Sequence, residues 1–233
     1  LEKNSADSGT GRWSVLKIPT MSFYEYCRLL ELDEPQLPDD CRLSGLVKMD
    51  HARLGDLLDG FGPLANQFNR YLTIGGFPEL VLSDDEAYAE RMLREDVVDK
   101  VIKRDVLSLF HIRSPLLMEK LFLYLCMNTA EIFNATTAAK ELENISVSTI
   151  DSYIQALEMS NLIYVAKPMD VGSKGALKGK PKIFIADAAI RNAVLMIEDV
   201  LSDEGELGVM VETAVYKHMV SFYQGTMAQV GYF

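Results

Sequence analysis

The densest constellation in this sequence is a run of lysines, Lys167, Lys174, Lys178, Lys180 and Lys182, set between two apolar segments. Lysines gathered in this way attract phosphate and add salt-dependent affinity for a nucleic-acid backbone. Within the run, Gly175-Ala176-Leu177-Lys178-Gly179-Lys180 imitates a phosphate-binding loop. It is one residue short of G-x-x-x-x-G-K, and Pro181 stands where Ser or Thr would hold Mg²⁺. It also lies between two expected strands, whereas such a loop joins a strand to a helix, so it is rejected as a nucleotide site. Upstream, Thr149, Ser152 and Gln155 occupy the outer side of an expected helix. Base readout there calls for Arg, Lys, Asn or Gln, and only Gln155 qualifies. Asp151 and Glu158 stand where phosphates would approach. The nucleic-acid expectation is therefore weak contact, with Thr149, Ser152, Gln155, Lys174, Lys178 and Lys180 as candidate residues.

Catalysis finds no support in the residue pattern. There is no G-x-S-x-G, and no Ser or Cys has a plausible base beside it. The acidic pairs Asp39-Asp40 and Asp84-Asp85 fall in a loop and at a helix start, where carboxylates act as caps and solubilising groups. The three cysteines and three histidines are scattered without C-x-x-C or other metal spacing. Free, mostly buried thiols and no metal are expected.

The elements that would position these residues follow from periodicity and punctuation. Val15 to Ile18, closed by Pro19, reads as one edge strand. Ser22 with Glu25 has the spacing of a capping box, opening a helix with Phe23, Tyr26, Cys27 and Leu30 on one side. Asp33 to Asp40 reads as a loop, Gly60 to Pro63 as a break, and Leu64 to Leu72 as helix. Gly75-Gly76-Phe77-Pro78 is a tight turn in which the glycines permit φ > 0. A long helix is expected from after Asp85 to about Phe110. Its apolar rows are Leu93, Val97, Val101 and Val98, Ile102, Val106, with Glu90–Arg94, Asp96–Lys100 and Asp99–Lys103 pairs on the wet face.

Ser114-Pro115 starts a new unit of three helices. The second runs from Thr136 to Leu142, and the third is opened by Ser148 with Asp151 at capping-box spacing. Strands at Leu162–Ala166 and Ile183–Ala186 follow, which is the order of a winged helix-turn-helix with the lysines on the wing. Helices return at Ala188 to Leu195 and from Gly208. The fold class expected is mainly α with a small β component.

The chain has 233 residues, 48% hydrophobic and 24% charged, with a net charge of −11. No stretch approaches the roughly eighteen uninterrupted apolar residues of a membrane span, and no secretory leader pattern is present, so a cytoplasmic setting without a membrane partner is expected. The acidic balance argues against a broad nucleic-acid face.

Taken in order, several motifs carry a resemblance. They are Ser8-Gly9-Thr10-Gly11-Arg12-Trp13, Ile18-Pro19-Thr20-Met21-Ser22-Phe23-Tyr24-Glu25-Tyr26, Gly75-Gly76-Phe77-Pro78-Glu79, the segment from Val97 to Val106, and Pro181-Lys182-Ile183-Phe184-Ile185-Ala186-Asp187. Together they resemble a family of largely uncharacterised prokaryotic AAA+-type ATPases with an ATPase core, a helical lid, a winged helix and a nuclease-like C-terminal region. One departure is that Ala188-Ala189 follow Asp187 where the family has a glycine. The Walker motifs are absent, and the Leu start and Gly231-Tyr232-Phe233 end fit a piece of a longer protein.

The resemblance implies four parts. Residues 1–20 are a remnant of the AAA+ core, 21–113 a helical lid-like domain, 114–188 the winged helix, and 189–233 the helical start of a truncated domain. It also implies that Arg12 is an arginine-finger candidate, since a planar guanidinium stabilises charge on a transferring phosphate. No cofactor is expected in this chain itself; ATP and Mg²⁺ belong to the complete parent, which would self-associate through its core. The competing expectation is a stand-alone winged-helix adaptor or regulator that acts through protein contacts with an unidentified partner.

Overall fold

In the computed structural model, residues 17–37, 43–83, 85–110, 112, 114–169, 179–197 and 200–233 are described. The protein is mainly helical with a three-stranded sheet. Ser22 caps α1 (Phe23–Leu29) with the reciprocal capping box, its side chain receiving the Glu25 amide while Glu25 receives the Ser22 amide. Short α2 (Leu43–Leu46) and α3 (His51–Gly60) follow, then a single 3₁₀ turn and α4 (Ala65–Ile74). The expected break at Gly60 to Pro63 is thus real. Gly75, at φ +78°, ends α4, and Pro78 sits in the first turn of α5 (Pro78–Val81), where a missing N–H costs no hydrogen bond.

The segment after Asp85 is helical to Phe110, but its winding changes. After α6 (Glu86–Met92), Leu93–Val106 forms a wider π-type helix before α7 (Leu107–Phe110). The reason lies in the apolar spacing. Leu93 and Ile102 are nine residues apart, roughly two and a half turns of an α-helix, which would set them on opposite sides. Nine residues are about two turns when hydrogen bonds run i to i+5. Leu93, Ile102 and Val106 are accordingly all buried. Lys103 and Asp99 pair at 2.9 Å on the exposed side. The side chains of Glu90, Asp96, Val97 and Val98 lie outside the described set.

Ser114 caps α8 (Pro115–Met127), and Asn134 caps α9 (Ala135–Glu141). The N-cap of α10 (Val147–Met159) is Ser146 and not Ser148, because Ser146 Oγ receives the Thr149 amide at 3.1 Å. Strands β1 (Ile163–Pro168) and β2 (Lys182–Ile185) pair antiparallel, with Tyr164 opposite Phe184. The outer edge of β2 is occupied by the link after α8: Ala130 N donates to Ile183 O at 2.8 Å and Phe133 N to Pro181 O at 2.7 Å. α11 (Ala188–Leu195) and α12 (Glu204–Tyr223) follow, and β3 (Gly231–Tyr232) lies parallel to the end of β1.

The expected strand at Val15 to Ile18 falls partly outside the described residues, and Lys17 and Ile18 have no strand pairing. One apolar cluster runs from Tyr26 on α1 to Ala214 on α12, so the core continues across residues 113–114 and 188–189. α11 sits at its centre, packed on the π-type segment, α4, α8 and α6. No described helix is long and apolar enough to cross a membrane.

Candidate functional site

Strand β2 ends at Ile185, and two residues on the Asp187 carboxylate is the N-cap of α11, its Oδ1 receiving the Ala189 amide at 3.1 Å. A cap of this kind needs no glycine after it, which accommodates Ala188-Ala189. The second carboxylate oxygen faces inward. It accepts from Lys217 Nζ at 2.8 Å, from the Thr20 hydroxyl at 2.7 Å and from the Gly76 amide at 3.1 Å. Lys217 comes from the middle of α12, where the neighbouring inward positions Met210 and Ala214 are apolar. Its other protons go to Thr20 Oγ1 at 2.9 Å and Met21 O at 3.0 Å. All three ammonium donors are thereby used. The Tyr71 ring lies 4.9 Å from Nζ, and its hydroxyl also donates to Met21 O at 2.8 Å.

The side chains of Asp187 and Lys217 are 3% and 2% exposed. Burial pushes the Asp187 carboxyl up, but the charge of Lys217 and the hydrogen bonds from Lys217, Thr20 and Gly76 outweigh it and hold the carboxyl below its ordinary value. The two glycines make room for the pair. A side chain on Gly75 would meet Asp187 Oδ1 at 2.6 Å, and one on Gly76 would meet Met21 O at 2.2 Å. Met21 N in turn donates to Gly76 O at 2.8 Å.

His218, next to Lys217, engages the same segment. Its Nε2 accepts from Phe23 N at 2.7 Å, and its Nδ1 is bonded to the Ala214 carbonyl. On the opposite side of α11, Arg191 donates to Cys126 O at 3.0 Å and pairs with Glu206. Four distant stretches therefore converge: residues 20–23, the Gly75-Gly76 turn, the β2–α11 junction and the middle of α12. Every hydrogen-bonding group of the pair is satisfied and solvent is excluded, so the arrangement holds segments in register and offers no free acid, base or nucleophile.

The residues singled out from sequence are distributed elsewhere. Arg12, Lys174 and Lys178 lie outside the described residues. Lys180 is exposed at the start of the described return into β2, where its carbonyl accepts from the Tyr232 hydroxyl. Thr149 is half-buried and engaged with Ser146 Oγ. Ser152 and Gln155 are exposed on α10 together with Asp151 and Glu158, and the Ser152 hydroxyl donates to Ser148 O. Lys182 pairs with Glu212 at 2.9 Å, so it is already neutralised within the fold. Lys167 is exposed.

Sequence reading missed Asp187, Lys217, Thr20 and His218 as a set. The signals were an Asp two residues after a largely apolar strand and the one Lys of α12, but their pairing spans 30 residues and that of Thr20 with Asp187 spans 167.

Among curated proteins, the chain is 27% identical over 186 residues to an uncharacterised protein of Haemophilus influenzae, covering 78% of this chain and 40% of the relative. The chain thus spans about two fifths of the length of the relative it matches. No solved structure matches. A family model matches residues 65–201, a stretch that holds the Gly75-Gly76 turn and Asp187 but leaves Thr20 and Lys217 to the flanks. With more than half its residues matched, the chain belongs to the family described as a domain of unknown function (DUF8612).

Proposed function

We propose that this chain is the non-catalytic coupling part of a longer AAA+-type ATP-binding protein, one that ties movement of an ATPase core to a helical lid and a winged helix. The observation that carries the reading is the seizure of Thr20 and Met21 by the buried Asp187–Lys217 pair. In the resemblance, that segment is where the chain leaves the core. A displacement there would be felt directly by α11, α12 and the Gly75-Gly76 turn, because interlocked packing transmits shifts without absorbing them. The order α8, α9, α10, β1, β2 supports the winged-helix part. In the complete parent, Arg12 would reach a phosphate bound by a neighbouring subunit, with ATP and Mg²⁺ held by the core.

The test uses the complete protein. Its reading frame upstream of Leu1 should encode a strand–G-x-x-x-x-G-K-[ST]–helix unit, and Arg12→Ala should lower ATP turnover while ATP still binds. A frame without that unit, or unchanged turnover, overturns the reading.

A second reading, a winged-helix adaptor that contacts protein, is favoured by the exposed side of α10, which carries Asp151 and Glu158. Such a face repels phosphate. Nucleic-acid binding, if it contributes, would run through the wing lysines. A Lys174→Ala/Lys178→Ala/Lys180→Ala variant that holds duplex DNA as well as the parent removes the wing from that account.

A further inference from the structure

His218 is held in one protonation state by its partners. A carbonyl oxygen only accepts, so the nitrogen bonded to Ala214 O, Nδ1, must carry a proton. An amide N–H only donates, so the nitrogen facing Phe23 N at 2.7 Å, Nε2, must present a lone pair. The ring is therefore the neutral Nδ1–H tautomer. Phe23 is the first residue of α1, and its amide is one of the donors that a helix start leaves without an internal acceptor. His218 supplies that acceptor from 195 residues away.

The other bonds of this segment go to carboxylate, ammonium and phenol groups, none of them an imidazole. Thr20 is bound by Asp187 and Lys217, Met21 O by Lys217 and Tyr71, and Ser22 by Glu25. Only the Phe23–His218 contact can be cancelled by a single proton near physiological pH, because protonation would place an N–H against an N–H.

We propose that His218 is a pH-operated catch: neutral, it fastens the start of α1 to α12, and protonated, it releases the Phe23 amide. The charged and titratable groups around it are Lys217 on α12, Asp187 at the start of α11, Glu25 on α1 and Tyr71 on α4, whose ring lies 5.8 Å away. Burial is the largest influence and lowers the imidazole's affinity for protons, and Lys217 adds to it. The Ala214 bond, Asp187 and Glu25 act the other way without restoring the ordinary value. The catch is thus closed at neutral pH and opens on acidification below 6.5, the ordinary histidine value. It operates whether or not the chain is joined to an ATPase.

The experiment is a pH titration of the 233-residue chain by NMR, following the His218 ring nitrogens and the exchange protection of the Phe23 amide. The expected result is an Nδ1–H tautomer at pH 8. Corrected for intrinsic exchange, Phe23 protection should then drop about tenfold in step with His218 protonation, the size of one lost hydrogen bond. The Leu125 amide in α8 should not follow. In His218→Gln, whose side-chain carbonyl accepts at every pH, the step should vanish. An Nε2–H tautomer at pH 8, or Phe23 protection that ignores the titration, overturns the proposal. Should His218→Gln not fold, the titration of the native chain alone decides.

Discussion

Lys217 Nζ lies 2.8 Å from Asp187 Oδ2 with both side chains almost completely buried, and each group is bonded as well to Thr20. A charge pair removed from water survives only when each partner and each remaining lone pair or proton is satisfied. Here Asp187 is joined to Thr20, 167 residues away, and to Lys217, 30 residues away.

Breaking this pair from one side should be severe. Lys217→Met leaves the carboxylate buried without a counter-charge, and denaturant unfolding is expected to show a loss of about 3–5 kcal/mol. Adding Asp187→Asn should recover part of that loss, because the uncompensated charge is gone. A single-variant loss below about 1 kcal/mol would mean that the site is open to water.

Acid should act through the same carboxylate. Asp187 has a folded value below its ordinary 3.8, so the unfolded chain binds its proton first as pH falls. Its contribution is complete above 3.8 and is lost as pH drops through the folded value. Stability curves of the native chain and of Asp187→Asn, measured from pH 6 downward, should therefore converge in that acidic window. Parallel curves would remove Asp187 as the group responsible.

The glycines should differ sharply. Gly76→Ala places a methyl 2.2 Å from a backbone oxygen and is expected to cost at least the 1–3 kcal/mol or so of an overpacked core. Gly55, inside α3 with open space around its Cβ position, should gain roughly 0.5–1 kcal/mol on replacement by Ala. Thermal denaturation of the two variants tests both signs at once.

Cys126 should report global unfolding. Burial pushes its thiol up to about 12, with Arg191 only partly opposing, so almost no thiolate exists at pH 8. Alkylation at Cys126, followed by peptide mass spectrometry, should track the unfolding equilibrium. Rapid labelling of the native chain would show instead that α8 opens locally.

Much of the architecture was legible in the residues. The Ser22–Glu25 capping box, the Gly75-Gly76 turn, the Ser114-Pro115 start, the helix-helix-helix-hairpin order and the mainly helical class follow from signals a few residues long. Such signals act through local hydrogen bonds and steric limits, which a sequence window contains. The π-type winding at Leu93–Val106 and the cap at Ser146 were decided by competition. Burial of Leu93 together with Ile102 overrode α-helical spacing, and Ser146 was nearer the true start of α10.

The buried pair, the catch at His218 and the continuity of the core were determined only in three dimensions. A lysine at position 217 reads on paper as one more charge on a helix. It becomes a structural centre because the fold turns that side of α12 inward, where an unpaired ammonium is too costly to bury and Asp187, Thr20 and Met21 are within its reach.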